Sequence, residues 1–320
     1  MLKWNEENQI GGYRLLVCQQ NIINYIKERP WLIALLIFIT TIIWGYAWTL
    51  MKEALQYMGP FTFSAFRFGV GALTMFIILF LFKIGIPERK YWKHLVIIGL
   101  LQTAVVFLLV MYGLKFVEAG KSSILLYSMP IWSSLLAGII LKEKLAKPKA
   151  IGLFVGLVGL LTILGWDLWL EQEPAVIFGE LLIVISAISW GLSNVYYRKY
   201  LQKLSQLQVN GYQMAFGAIA IIVVAIIAES DQAIVLNGES IYYILFTGVL
   251  ASALCFTLWF VLLSVIDMVT ATISTLLVPV FGLFFGWLLL NESLTASILI
   301  GSTLIIIGII IANIYKTTAP

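Results

Sequence analysis

Apolar runs long enough to cross a membrane follow one another along almost the whole chain. Ten can be marked, at roughly 31–51, 60–82, 93–115, 121–141, 150–166, 176–198, 209–228, 241–264, 269–290 and 297–315. A hydrocarbon core about 30 Å thick needs about 20 apolar residues in helical form. In lipid the backbone must satisfy its own hydrogen bonds, so such runs predict helices. The short alternating strands of a membrane barrel are missing from the pattern. Composition points the same way. The chain is 61% hydrophobic and 11% charged, where a soluble domain carries about 25% charged residues. The expectation is an all-α polytopic membrane protein with ten transmembrane helices.

The ten runs divide into two copies. Trp44-Gly45 recurs as Trp190-Gly191, 146 residues on, and that offset carries Arg67 onto Gln213. From there the offset is 149: Pro130 falls on Pro279, Glu143 on Glu292, Gly152 on Gly301 and Gly159 on Gly308. Residues 141–145 and 290–294 share the frame L-x-E-x-L. Five crossings per copy is an odd number, so the copies must insert upside down relative to each other. Inverted repeats with matched helix breaks are a common build of secondary transporters. The expected division is a cytoplasmic tail at 1–30, a first five-helix repeat at 31–166, an outer linker at 167–175, a second repeat at 176–315 and a tail at 316–320, the two repeats enclosing a central cavity.

Charge sets the orientation. With the N-terminus inside, 16 of the 20 basic residues fall on cytoplasmic segments, among them Arg29, Lys83, Lys90, Lys142, Lys149, Arg198 and Lys316. The other side holds Lys52, Lys115 and Lys121, and its loops carry Asp167, Glu171, Glu173, Glu229, Asp231 and Glu239. This asymmetry predicts both termini in the cytoplasm of a plasma-membrane protein. The net charge of +4 is therefore no nucleic-acid signal. Cys18 and Cys255 are the only cysteines, one in the tail and one in the eighth run, so no disulfide is expected. The first 29 residues lack the apolar core of a cleavable leader. Leu15, Cys18, Ile22, Tyr25 and Ile26 would form one face of a short interfacial helix; a loosely ordered tail is the other reading.

The order of these features resembles the drug/metabolite transporter superfamily, and within it the EamA-type ten-helix exporters. The residues that carry the likeness are Trp-Gly at Trp44 and Trp190, Pro60 with Arg67 in the second run, and the stretches Ala119 to Gly159 and Met268 to Gly308. Trp190-Gly191-Leu192-Ser193-Asn194 fits the family pattern well, whereas the first copy has Trp48 where the pattern has Asn. The resemblance covers nearly all of 31–315. It implies ten helices around a central cavity that opens alternately to each side.

Several residues are candidates for function. Pro130 and Pro279 each remove an N–H and free the carbonyl four residues back, at Leu126 and Thr275; as a matched pair they are candidate hinges. Arg67 is the one basic residue within an apolar run. Its mid-membrane charge costs about 2.5–3.5 kcal/mol on insertion scales. It could bind an anionic substrate group, snorkel outward, or donate to a neighbouring helix, and a structural role is the preferred reading. Trp44, Trp48, Tyr127, Trp132 and Trp190 lie far from the helix ends, whereas Trp31, Trp92, Trp166 and Trp169 sit where interfacial belts form. With Gln102, Asn194, Gln213 and Thr275 at comparable depth, the deep aromatics suggest a cavity for an amphipathic or aromatic molecule. Glu180 is the candidate proton site. Glu143 and Glu292 are read as structural, serving the first turn of the following helix, which Thr295 could cap in the second copy. Gly152, Gly156, Gly159, Gly301 and Gly308 permit close helix packing, within the chain or along a homodimer seam.

Enzyme readings find no support: there is no nucleotide loop and no metalloprotease motif, and the single His94 lies in a loop. No cofactor or metal is expected. The predicted partners are the bilayer, a small-molecule substrate, and a proton or other coupling ion. The predicted function is secondary active export of small organic metabolites such as amino acids. An uptake carrier and a non-transporting scaffold or regulator are the alternatives.

Overall fold

A computed structural model describes residues 23–143, 145–164, 173–290 and 296–314, and among these every regular element is helical. After one turn at 23–27 come α1 (Pro30–Ala54) and α2 (Pro60–Leu81), then α3 (Arg89–Gly113). The next helix is in two pieces, α4a (Ala119–Leu126) and α4b (Met129–Ile140). It is followed by α5 (Lys147–Leu164), α6 (Pro174–Tyr200), α7 (Gln206–Ala228) and α8 (Gly238–Val265). The ninth is again in two pieces, α9a (Met268–Ser274) and α9b (Leu277–Leu290), and α10 (Ala296–Ile314) closes the order. Among the described residues, eight helical segments are long and apolar enough to cross a membrane: α1, α2, α3, the α4 pair, α6, α7, α8 and Thr270–Leu290 within the α9 pair. A shorter apolar stretch, Leu299–Ile311, lies in α10. Residues 1–22, Trp166, Trp169, Glu292, Thr295 and the C-terminal tail, all read above from sequence, lie outside the described residues.

Proline marks the start of several helices. Pro30, Pro60 and Pro174 each stand in the first turn of α1, α2 and α6, where a missing N–H costs nothing and the fixed φ suits the helix. The mid-run prolines act more strongly. Pro130 stands in the first turn of α4b, and Pro279 is the third residue of α9b. Between the pieces the backbone tightens to three-residue turns, Ser128 N to Leu125 O at 3.2 Å and Leu276 N to Ile273 O at 3.0 Å. Where kinks were expected, both helices break.

A second irregularity has no signature in the sequence. α3 is wound as a π-helix over Gly99–Val105, and α8 over Phe246–Leu254. Such wide turns turn carbonyls away from the helical ladder. They find side chains: Ser189 Oγ donates to Leu101 O at 2.7 Å, Trp44 Nε1 to Ala251 O at 2.8 Å and Asn210 Nδ2 to Ala253 O at 2.8 Å. The wide turns thus tie α3 to α6, and α8 to α1 and α7.

Glycine sets the helix spacing. A Cβ on Gly159 would lie 2.6 Å from Gly301 O, and one on Gly308 2.6 Å from Gly152 O. These glycines are therefore filled by each other between α5 and α10, inside the chain. Gly45 lies against Phe281 and Gly282 of α9b, and Gly191 against Trp132 and Ser133 of α4b. Each Trp-Gly helix thus packs on the broken helix of the other half.

Candidate functional site

The bundle centre is an aromatic chamber. Trp44 of α1 meets Trp190 of α6 edge to face, with centroids 5.6 Å apart, and Phe256 of α8 packs on Trp44 at 5.5 Å. Tyr127, in the break of the fourth helix, packs on Trp190 at 5.8 Å. Trp48, Met51, Arg67 and Phe107 complete the wall. The enclosed space is about 20 Å³, room for about one water. The chamber is closed to anything larger. A groove of about 540 Å³ does lie between α2 and α7, but its walls include exposed apolar side chains such as Leu73 and Ile226. It belongs to the outer face of the bundle, and none of the chamber residues lines it.

Arg67 is 2% exposed, so it does not snorkel. Its Nε donates to Ser252 Oγ at 2.9 Å and its Nη1 to Met51 Sδ at 2.9 Å. The guanidinium also lies over the rings of Phe107 and Phe68, at 4.5 and 4.9 Å. A desolvated cation over aromatic faces gains roughly 2 kcal/mol, comparable with the cost of placing the charge there. None of the ion pairs among the described residues includes Arg67.

The structure brings Trp44, Trp48, Arg67, Tyr127 and Trp190 together in the chamber. It places three other sequence candidates in helix-to-helix ties and a fourth, Thr275, in a bond within its own helix. Gln213 accepts from Thr103 Oγ1 at 2.6 Å and donates to Asn210 Oδ1 at 3.2 Å. Asn194 accepts from Trp259 Nε1 at 3.1 Å and faces Met129 and Ser133. Gln102 accepts from Ser193 Oγ at 3.3 Å. Thr275 Oγ1 bonds back to Thr272 O at 2.7 Å within its own helix. Trp132 is half-buried and donates to Ser128 Oγ at 3.4 Å. Glu180 is paired with Lys121 at 2.5 Å, tying α6 to α4a. Glu143 reaches Arg198 Nη1 at 3.4 Å and not the first turn of α5. The sequence reading missed Met51, Phe107, Ser252 and Phe256, which differ in nothing visible from other residues of apolar runs.

Contacts recur in pairs at the two sequence offsets. Arg67 bonds Ser252, and Gln213, 146 residues after Arg67, bonds Thr103, 149 residues before Ser252. Lys52 Nζ donates to Leu114 O at 2.7 Å and to Val117 O at 3.1 Å, while Arg198 Nη2 donates to Ile266 O at 2.8 Å. Lys52 matches Arg198, and Val117 matches Ile266, at those same offsets. One latch grips the chain just before the fourth helix and the other, through Glu143, just after it. That helix runs 22 residues, so the latches stand roughly 30 Å apart, at opposite ends of the bundle. Beside the second latch, Lys149 pairs with Asp267 at 2.8 Å. Burial alone would raise the Asp267 carboxyl, but bonds from Lys149 and Thr270 outweigh it and hold the group below its usual range.

The sequence pattern of the EamA-like transporter family matches residues 31–165 and again 177–314. The chain belongs to the EamA-like transporter family. It is a multi-span helical membrane transporter of the drug/metabolite superfamily. It is 34% identical over 270 residues to the "Uncharacterized transporter YoaV" of Bacillus subtilis (strain 168), covering 84% of this chain and 92% of that one. It is 24% identical to the "Probable amino-acid metabolite efflux pump" of Salmonella typhimurium (strain LT2), over 86% of this chain and 93% of the relative. A solved crystal structure shares the fold with a TM-score of 0.73 at 18% identity, over 88% of this chain and 96% of the other. Among the described residues no group of three or more His, Cys, Asp or Glu side chains could hold a metal ion.

Proposed function

We propose that this EamA-family chain is a secondary active exporter of small organic metabolites, amino acids or related amphipathic compounds, working by alternating access. Ten crossing helices would form two inverted five-helix repeats, at 31–166 and 176–315, in the cell membrane with both termini cytoplasmic. The observation that carries this reading is the pair of matched latches, Lys52 at one end of the bundle and Arg198 at the other, with a closed aromatic chamber between the two halves. Opening one latch while the other holds would expose the chamber to one side only. The breaks before Pro130 and Pro279 leave each broken helix two rigid pieces about which such opening could turn. The excess of basic residues on one set of loops supports the orientation, and the name of the Salmonella relative supports export.

Coupling to a proton or another ion would supply the energy. Glu180 is the proposed carboxylate, since its protonation would release Lys121 and loosen α4a from α6. The test is efflux from proteoliposomes loaded with radiolabelled amino acids, with and without an imposed proton gradient. Gradient-dependent efflux above that of protein-free vesicles is expected. Efflux no faster than from protein-free vesicles across the amino-acid set would overturn the reading.

A further inference from the structure

We propose that the central chamber is an anion site, in which Arg67 receives the carboxylate of a small organic acid and Trp44, Trp190 and Phe256 hold its apolar body. The proposal rests on the reading of the chamber as the transport site, and it narrows the substrate to a class.

The chamber has more donors than acceptors. A guanidinium has five N–H donors. Arg67 uses its Nε on a hydroxyl and one Nη1 donor on the thioether of Met51, a soft and weak acceptor. Its remaining donors have no hydrogen-bond acceptor among the described residues. Trp190 Nε1, of a side chain on the same wall, is buried and has no hydrogen-bond partner among the described residues. A buried donor left unmatched is destabilising. An occupant that brings two oxygens and a negative charge removes both deficits. An ammonium would meet an uncompensated cation instead.

The matched position in the other half argues that this charge is not there for structure alone. Gln213 stands where Arg67 would, and it ties α7 to α3 through Thr103 as Arg67 ties α2 to α8 through Ser252. A neutral amide therefore suffices for the tie, with both ends of its side chain used. At the same task Arg67 adds a charge at membrane depth, which is costly, and adds unused donors. The mirror of a second tie is also absent. Trp44 Nε1 reaches Ala251 O at 2.8 Å, whereas Trp190 Nε1 reaches no acceptor among the described residues. The two halves differ at this centre in the two groups that could receive a carboxylate. The surrounding rings set the rest of the ligand: once the chamber opens, they offer aromatic faces and edges to a flat or branched apolar body.

Three probes with one aromatic body and different heads test this directly: 3-phenylpropionate, 3-phenylpropionamide and 3-phenylpropylammonium. Each is titrated into the purified full chain in detergent, with thermal unfolding as the readout, since a ligand of the folded state raises its stability. The carboxylate is expected to half-saturate at a concentration at least about tenfold below the amide and the ammonium, a difference of about 1.4 kcal/mol. Arg67→Gln is expected to fold, because Gln213 makes the same tie, and to lose that preference. Equal response to all three, preference for the ammonium, no response to the carboxylate, or an unchanged preference in Arg67→Gln overturns the proposal. The wild-type comparison stands by itself if the variant fails to fold. Vesicle flux separates the two levels. Movement of the ammonium or amide without carboxylate preference keeps the transporter and removes the anion site. Tight carboxylate binding with no flux of any solute keeps the site and removes the transporter.

Discussion

Gly45 and Gly191 occupy matched positions but tolerate a side chain unequally. A Cβ at Gly45 would overlap the Cβ of Phe281 and lie 3.1 Å from Gly282 N, while one at Gly191 would sit 3.0 Å from Ser133 N and Trp132 Cβ. Overpacking of this kind costs about 1–3 kcal/mol. Gly45→Ala should therefore lower the unfolding temperature more than Gly191→Ala, as read by thermal unfolding in detergent. Equal effects would mean that α9b yields as easily as α4b. Asp267 gives a pH signature. Its carboxyl is held below the usual 3.8, so its contribution is complete at neutral pH and fades only as pH falls through that lowered value. Asp267→Asn keeps an acceptor for the N-cap but removes the pair with Lys149, so it should cost at most about 1 kcal/mol at pH 7 and should converge with the wild type in strong acid. A penalty that persists unchanged in acid would contradict the ion pair. At this scale the sequence was partly legible. Trp44, Trp48, Tyr127 and Trp190 announced themselves because large aromatics far from the helix ends are unusual. Ser252 and Met51 did not, because a hydroxyl or a thioether in an apolar run looks like filler until its partner is known.

The helices were legible by length and composition, and their irregularities only where proline marked them. Pro130 and Pro279 pointed to the two breaks. The π-helical stretches of α3 and α8 follow from no residue type, since Gly-Leu-Leu-Gln-Thr-Ala-Val and Phe-Thr-Gly-Val-Leu-Ala-Ser-Ala-Leu would also wind as ordinary helix. They arise from what the displaced carbonyls meet: Ser189, Trp44 and Asn210 on facing helices. Tertiary contact decides them, and a local pattern cannot hold that information. Two expectations belong here. Replacing both prolines by alanine should restore continuous helices and abolish transport while leaving membrane insertion intact, as judged by flux and by the amount of protein in the membrane. Transport at the normal rate would sink the hinge role. Shortening α8 by deleting Ala253 should realign its ladder and withdraw the Ala251 carbonyl from Trp44. The expected consequence is a loss of stability of roughly 1–3 kcal/mol, seen as a lower unfolding temperature.

For the molecule as a whole, the doubled sequence foretold more of the contact map than of the chemistry. The offsets of 146 and 149 residues link the Gly45 and Gly191 contacts, the α5–α10 glycines, the Arg67 and Gln213 ties and the two latches. The chemistry lies where the copies part: Trp48 against Asn194, Arg67 against Gln213, and a hydrogen-bonded Trp44 against a Trp190 with no such partner among the described residues. The central claim is that this chamber opens to one side at a time. It can be tested with a single cysteine at Ala47, which lines the chamber and is 2% exposed, in a chain whose Cys18 and Cys255 are replaced by serine. A membrane-impermeant thiol reagent is applied from either face of sealed vesicles, with Lys52→Ala or Arg198→Ala releasing one latch. The account predicts labelling from the Lys52 face alone in the first variant and from the Arg198 face alone in the second. Labelling from both faces in one variant, or from neither in both, would contradict it.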